Sequence, residues 1–282
     1  MKMTLKVFKV FILISVTFGY QLASAETRQL IIATGSPYEL GLIDTLAKPF
    51  EAKCHCKIRC VKTPTGPGLD LGRHGRVDIT IGHNRAATDK FEKEGHVAYR
   101  SKLMHNYTII VGPLSDPAGI SRLTVIKDPY KRLKEAHRLI YERKALYLFR
   151  GDKGGMDLLE KRIWQQLRLN PTGESWYKES RKFMLASLRQ ANKKGRYHML
   201  DSSTWIKYQS KMSNLKLLLT GTPNEYEICV VSSKKHPYIS YNHELAKAFF
   251  DFIIEPKGQR IIATFGKNKY GKALYFPDVI KQ

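Results

Sequence analysis

Three short loops concentrate the residues able to hold an anion: Ala33-Thr34-Gly35-Ser36, Thr63-Pro64-Thr65-Gly66-Pro67-Gly68 and Arg150-Gly151-Asp152-Lys153-Gly154-Gly155. Each follows an apolar, strand-like run, and the first and third open helix-like segments. Unpaired N–H groups and the positive end of a helix dipole then favour negative charge at such places. Thr34, Ser36 and Thr65 add hydroxyls, while Gly66, Gly154 and Gly155 allow a guest to approach the backbone closely. Arg150 contributes a charged fork suited to a tetrahedral oxyanion. Arg189, on a later helix-like segment, can reach the same place. The chemistry implied is non-covalent capture of a small, multiply charged oxyanion. Local roles stay open for the same side chains: Thr34 and Ser36 are good helix caps, and Arg150 can pair with Asp152.

The elements needed to position these loops alternate between periods of two and 3.6. Leu30–Thr34, Cys54–Lys62, Val77–Gly82, Tyr107–Val111, Ala145–Phe149 and Tyr226–Val231 read as strands. Helices are expected over Glu39–Lys53, Arg85–Glu94, Pro129–Glu142, the segment from the Arg150 loop to Leu169, Arg181–Lys194, Asn242–Ile254 and Pro256–Phe265. Asp128-Pro129 supplies a cap and a first-turn proline. This order predicts an α/β fold of two lobes, each a mainly parallel sheet flanked by helices. The expected division is 26–112 plus 230–282 for one lobe and 113–229 for the other, inserted lobe. Ligands then bind at strand carboxyl ends, in the cleft between lobes.

Residues 1–25 read as a cleaved export signal: Lys2, Lys6 and Lys9, a short apolar run over Val10–Phe18, then Ala23-Ser24-Ala25. That run is well below the roughly 20 residues needed to span a bilayer. The chain of 282 residues carries 48 Lys+Arg against 25 Asp+Glu, net +23, a field that draws in anions. The basic residues are spread along the chain without an arginine-rich tail or a zinc-finger or RNP-type motif, so nucleic acid is not the expected partner. With 43% hydrophobic residues the chain can bury a core, which excludes disorder as the dominant state. Catalysis is not expected either, since no Ser-His-Asp order, His-Glu-x-x-His pair or nucleophile elbow is present.

Cys54, Cys56 and Cys60 fall on one face of the strand read over Cys54–Lys62. Three readings stay open: small apolar residues in the core, a disulfide involving Cys229, or a soft-metal site beside His55. Gly266–Lys272 imitates a phosphate loop but has Ala273 where a magnesium-binding hydroxyl is required, and it follows a helix. Asn106-Tyr107-Thr108 matches a glycosylation acceptor but runs into a strand expected to be buried.

Longer stretches carry a family resemblance: GLIDTLAKPFE, LGRHGRVDITIGH, NYTIIVGPLSDPAGI, FRGDKGG, ESWYKES, LRQANKKGRYHMLDSSTW and AFFDFIIEPKGQRIIATFGKNKYGKALYFPD. They span Leu30 to Asp278 and resemble the periplasmic tungstate-binding proteins of ABC importers, within the type 2 periplasmic-binding-protein fold. The resemblance implies a Venus-flytrap protein, monomeric and without cofactor or catalytic metal. Such a protein captures a tungstate- or molybdate-like oxyanion and delivers it to a membrane permease. Where the family's first loop reads T-T-T-S, Thr34 and Ser36 remain while Ala33 and Gly35 replace threonines. Pro64-Thr65-Gly66 stands for G-T-G. The R-G-D-x-S-G-T-H loop keeps Arg150, Gly151, Asp152 and Gly155, but Gly154 and Met156 stand where Ser and Thr would donate hydroxyls. Arg189 matches the arginine of L-R-x-A-N. Hydrogen bonds to a charged group contribute about 1.5–3 kcal/mol each, so four missing hydroxyls bear directly on affinity. The alternatives are a diverged sensor or interaction module of the same fold, or a binder of another anion or a soft metal.

Overall fold

The computed structural model describes residues 28–279, so the leader read over 1–25 lies outside the described residues. Among the described residues nine strands are present: β1 (Gln29–Thr34), β2 (Lys57–Lys62), β3 (Ile79–Gly82), β4 (Val97–Pro113), β5 (Tyr147–Phe149), β6 (Tyr177–Glu179), β7 (His198–Asp201), β8 (Leu215–Val231) and β9 (Phe276–Pro277). The α-helices are α1 (Ser36–Glu39), α2 (Leu42–Cys54), α3 (Thr65–Arg73), α4 (Arg85–Lys93), α5 (Pro129–Glu142), α6 (Gly155–Leu167), α7 (Met184–Lys194), α8 (Ser202–Tyr208), α9 (Ser240–Ile254), α10 (Pro256–Thr264) and α11 (Lys267–Tyr270).

The large sheet has the order β2-β1-β3-β8-β4-β7, with β9 against β4, and β5-β6 form a second small sheet. Pairing is parallel for β1-β2, β1-β3 and β5-β6, and antiparallel elsewhere. The expectation of mainly parallel sheets therefore needs correction to a mixed large sheet. The reason lies in β4 and β8, each 17 residues long. The chain runs out along one and returns along the other, so the two pair antiparallel from Val97↔Val231 to Pro113↔Leu215.

Apolar burial is divided along these strands. Leu30, Ile32, Leu46, Phe50, Ile79, Met104, Ile228 and Phe249 belong to one core. Ile110, Leu133, Ile140, Tyr147, Trp176 and Leu219 belong to another. Ile109, Leu148, Met156, Leu188 and Leu200 form a third, next to α7 and α8. Midway along the long strands a buried polar cluster interrupts the apolar packing. Asn224 Nδ2 donates to Asn106 Oδ1 at 2.8 Å, and Asn106 Nδ2 donates to Ser203 Oγ at 2.8 Å.

The α5 boundaries match the sequence reading, with Asp128 accepting from the Lys131 N–H at 2.7 Å and Pro129 in the first turn. The strand read over Cys54–Lys62 is shorter. Cys54 is the last residue of α2, His55 turns left-handed (φ 48, ψ 48), and β2 starts at Lys57. All four cysteines are free thiols. Cys60 on β2 and Cys229 on β8 are three strand positions apart in the sheet order. At about 4.8 Å per spacing that is roughly 14 Å, beyond any disulfide. Cys56 is buried in the first core, and Cys54 and Cys60 pack against it. Among the described residues no group of three or more His, Cys, Asp or Glu side chains gathers as a metal site.

Candidate functional site

The first two loops are set side by side by parallel pairing of β1 and β2, with the Thr63 N–H donating to the Thr34 carbonyl at 3.0 Å. After Thr34 the chain turns at Gly35 into α1. A Cβ at Gly35 would lie 3.3 Å from the Thr63 carbonyl oxygen, so a larger residue there would press on the neighbouring loop. The Ser36 hydroxyl donates to Asp201 Oδ2 at 3.3 Å, and Asp201 caps α8 by accepting from the Thr204 N–H at 2.7 Å. The Thr63–Gly68 segment is not a free loop, because α3 begins at Thr65. Pro64 is extended (φ −63, ψ 161) before the helix, and Pro67 sits in the first turn, where no N–H is needed. Thr65 Oγ1 accepts from the His83 N–H at 3.4 Å.

The Arg150 loop faces these from the other side, and a buried carboxylate holds its shape. Asp157, in the first turn of α6, accepts from the Gly151 N–H at 3.2 Å and the Lys153 N–H at 3.1 Å. Gly151 (φ 69) and Lys153 (φ 58) take the left-handed turns that this wrapping requires. Arg150 is 6% exposed. Its Nη2 pairs with Asp152, its Nη1 lies 3.4 Å from Met184 Sδ, and its buried Nε has no partner. Asp152 also accepts from the Gly154 N–H at 3.1 Å. The ion pair with Asp152 and the approach to the other loops thus occur together.

A cavity of about 20 Å³ lies between the two sets of loops. Of the residues singled out from sequence, Ser36, Thr65, Arg150 and Gly154 line it. Thr34 does not. Its hydroxyl is buried without a partner and borders a smaller neighbouring void with Thr63, Thr65 and Thr80. Gly66 and Gly155 sit just behind the lining. A Cβ on Gly66 would lie 3.6 Å from the Lys153 carbonyl oxygen, and one on Gly155 would collide with the His83 ring. Arg189 is exposed on α7 and is not among the lining residues. Of the four positions lacking a hydroxyl, Gly35 and Gly154 border the cavity. Ala33 and Met156 are instead packed in apolar cores.

Residues not singled out from sequence complete the walls: Ile81, His83, Phe183 and Tyr226. His83 directly follows β3, so the rule that picked out the other loops, a polar residue at a strand carboxyl end, applies to it as well. Its ring lies 4.9 Å from that of Tyr226. Burial, reinforced by Arg150, lowers its pKa to about 4, so it offers hydrogen bonds at neutral pH without adding charge. Phe183 packs toward Gly35, with Lys62 Nζ 4.4 Å from its ring centroid. A volume of 20 Å³ holds about one water molecule. Admitting a larger guest requires the walls to part.

Residues 22–257 match the PBP superfamily domain. The chain belongs to the PBP superfamily. Among PBP relatives, the tungstate-binding protein TupA of Peptoclostridium acidaminophilum is 29% identical over 255 residues, covering 89% of this chain and 86% of that protein. The structure of the tungstate ABC transporter protein from Geobacter sulfurreducens superposes with a TM-score of 0.73 at 32% identity, over 84% of this chain and 98% of that one. The tungstate-binding protein TupA from Desulfovibrio alaskensis gives 0.72 at 32% identity, over 89% and 99%. The α/β architecture read from the alternating segments is that of a type 2 periplasmic-binding protein, and the motif resemblance points to these same tungstate-binding proteins.

Proposed function

We propose that this protein is an extracytoplasmic solute-binding protein that captures a tungstate- or molybdate-like oxyanion and presents it to an ABC permease. The observation that carries this reading is a buried guanidinium with an unpartnered Nε, placed between two helix amino ends that face each other across one cavity. Arg150 neutralises charge, and the amino ends of α3 and α6 add N–H groups and favourable dipoles. Thr65 and Ser36 orient the guest with their hydroxyls. Asp152, a carboxylate already on Arg150 and the Gly154 N–H, holds both donors until the oxyanion takes its place. Opening proceeds by bending within β4 and β8 near Asn106 and Asn224, where the apolar cores are interrupted, so that one lobe swings away from the other.

Isothermal titration with tungstate and molybdate tests the reading. Wild-type protein is expected to bind one oxyanion. Arg150→Ala removes hydrogen bonds to a charged group worth about 1.5–3 kcal/mol each, a loss of at least tenfold in affinity. Unchanged affinity in Arg150→Ala removes that residue from the site. A second reading, a diverged sensor that binds no oxyanion, is favoured by the missing hydroxyls at Gly35 and Gly154, both of which border the cavity. It predicts a folded wild-type protein that gives no heat with either anion.

A further inference from the structure

The turn joining α2 to β2 places two thiols differently from the strand expected there. Cys54 closes the helix, His55 takes φ 48 and ψ 48, and Cys56 precedes β2. In an α conformation of either hand, the Cα atoms flanking one residue are about 5.4 Å apart. Disulfides favour Cα separations of roughly 5.5–6 Å. On an extended strand, by contrast, alternate residues are about 6.5 Å apart with their Cβ atoms equally far from each other. Both sulfurs also belong to one apolar body, Cys56 within the first core and Cys54 packed against it. Cys54 is half-buried and open to a dissolved reagent, while Cys56, 3% exposed, sits at the wall of an open cleft of about 510 Å³ beside Lys48, Glu51, His55 and Lys57. Burial, with Cys54 and Glu51 close by, raises the pKa of the Cys56 thiol, and Lys57 works against that rise. Cys60 and Cys229 lie apart from this turn, on β2 and β8, and burial pushes each of their thiols up to about 12.

We infer that Cys54 and Cys56 form a redox-convertible pair, joined across His55 by exchange with a low-molecular-weight disulfide. The Cys54 thiolate attacks one sulfur of the reagent, forming a mixed disulfide and releasing one reagent thiolate. The Cys56 thiolate then attacks the Cys54 sulfur, the mixed bond breaks, and the second reagent thiolate leaves. The two protein thiols lose two electrons to the reagent, and their protons end on its two thiols. A ring spanning one intervening residue restricts the unfolded chain little, so the bond modifies the turn reversibly instead of stapling the fold. The proposal is independent of the anion site. Export, part of the functional reading above, would supply the oxidising surroundings.

Full-length protein is incubated with oxidised or reduced glutathione, denatured, labelled with a maleimide and weighed intact. Oxidised wild-type protein is expected to take up two labels and the reduced protein four, one for each cysteine of the chain. Cys60→Ser and Cys229→Ser should still lose two labels on oxidation. Cys54→Ser and Cys56→Ser should lose none to an internal bond, and Cys56→Ala, which keeps the position apolar, guards against loss of fold. Four labels on oxidised wild-type protein would overturn the inference. So would a stable glutathione adduct without an internal bond, or a two-label loss that persists in Cys54→Ser.

Discussion

Successive turns of α6 bury acids in opposite ways. Asp157, in the first turn, is fully buried and answers the loss of water with two backbone N–H groups and Lys161 Nζ at 3.1 Å. Glu160 is 2% exposed and faces aromatic side chains, accepting from Trp164 Nε1 and the Tyr177 hydroxyl at 3.2 Å each. Burial raises its pKa to about 8, so at neutral pH it is largely a neutral acid. Backbone N–H groups and a lysine meet the acid that shapes the Arg150 loop, whereas the acid packed among aromatic rings gives up its charge. A buried acid therefore marks function through what it organises, not through burial itself.

The most damaging way to break this contrast is Asp157→Ala. It removes the acceptor of the part-buried Gly151 and Lys153 N–H groups and empties a fully buried site, and each donor left unsatisfied costs up to about 1–3 kcal/mol. A loss of about 2–4 kcal/mol is expected in denaturant unfolding. Oxyanion affinity should fall with it, because Arg150 sits on the loop that Asp157 holds. Asp157→Asn keeps one carbonyl acceptor and should fall between the two. A variant with wild-type stability and affinity would show that the loop holds its shape unaided.

Glu160→Gln should act through pH. The folded pKa, about 8, lies above the ordinary 4.5. Between those values the folded state binds more protons than the unfolded state, so wild-type stability falls as pH rises through this window. The glutamine variant keeps the acceptor without ionising. It should match wild type near pH 5 and exceed it by on the order of a few kcal/mol at pH 8. Parallel unfolding curves for the two proteins across that range would contradict a neutral Glu160.

The anion loops were legible because each couples an apolar run to Gly, Ser, Thr or Arg at a strand end. Arg150 stood out for this reason. Arg189 was read from a helix motif alone and projects into solvent. The start of α3 was hidden because Thr-Pro-Thr-Gly-Pro-Gly looks like pure loop, although both prolines occupy places where a helix start needs no N–H. The full lengths of β4 and β8 were masked by charge. Arg100 pairs with Glu227 at 2.8 Å and Lys102 with Glu225 at 3.4 Å, so these stretches lack the apolar alternation of a half-buried strand. His83, Phe183 and Tyr226 come from segments far apart in sequence, and only folding brings them to one cavity.

The smallest effect separates the two supports of Asp157. Lys161 lies one turn further along α6, with its side chain 49% exposed against 0% for Asp157. An acid followed by a lysine four residues on is the favourable order along a helix, worth about 0.3–0.5 kcal/mol when solvent screens the cation. The amides, in contrast, are fixed by the loop and have no other acceptor for their protons. Lys161→Ala should therefore lower stability by about 0.5 kcal/mol or less, an effect that shrinks further in high salt. It should leave oxyanion affinity unchanged, since the Arg150 loop keeps both of its bonds to Asp157. If Lys161→Ala instead matched Asp157→Ala, the ion pair and not the amides would hold the first turn of α6, and the contrast with Glu160 would reduce to the presence of one nearby cation.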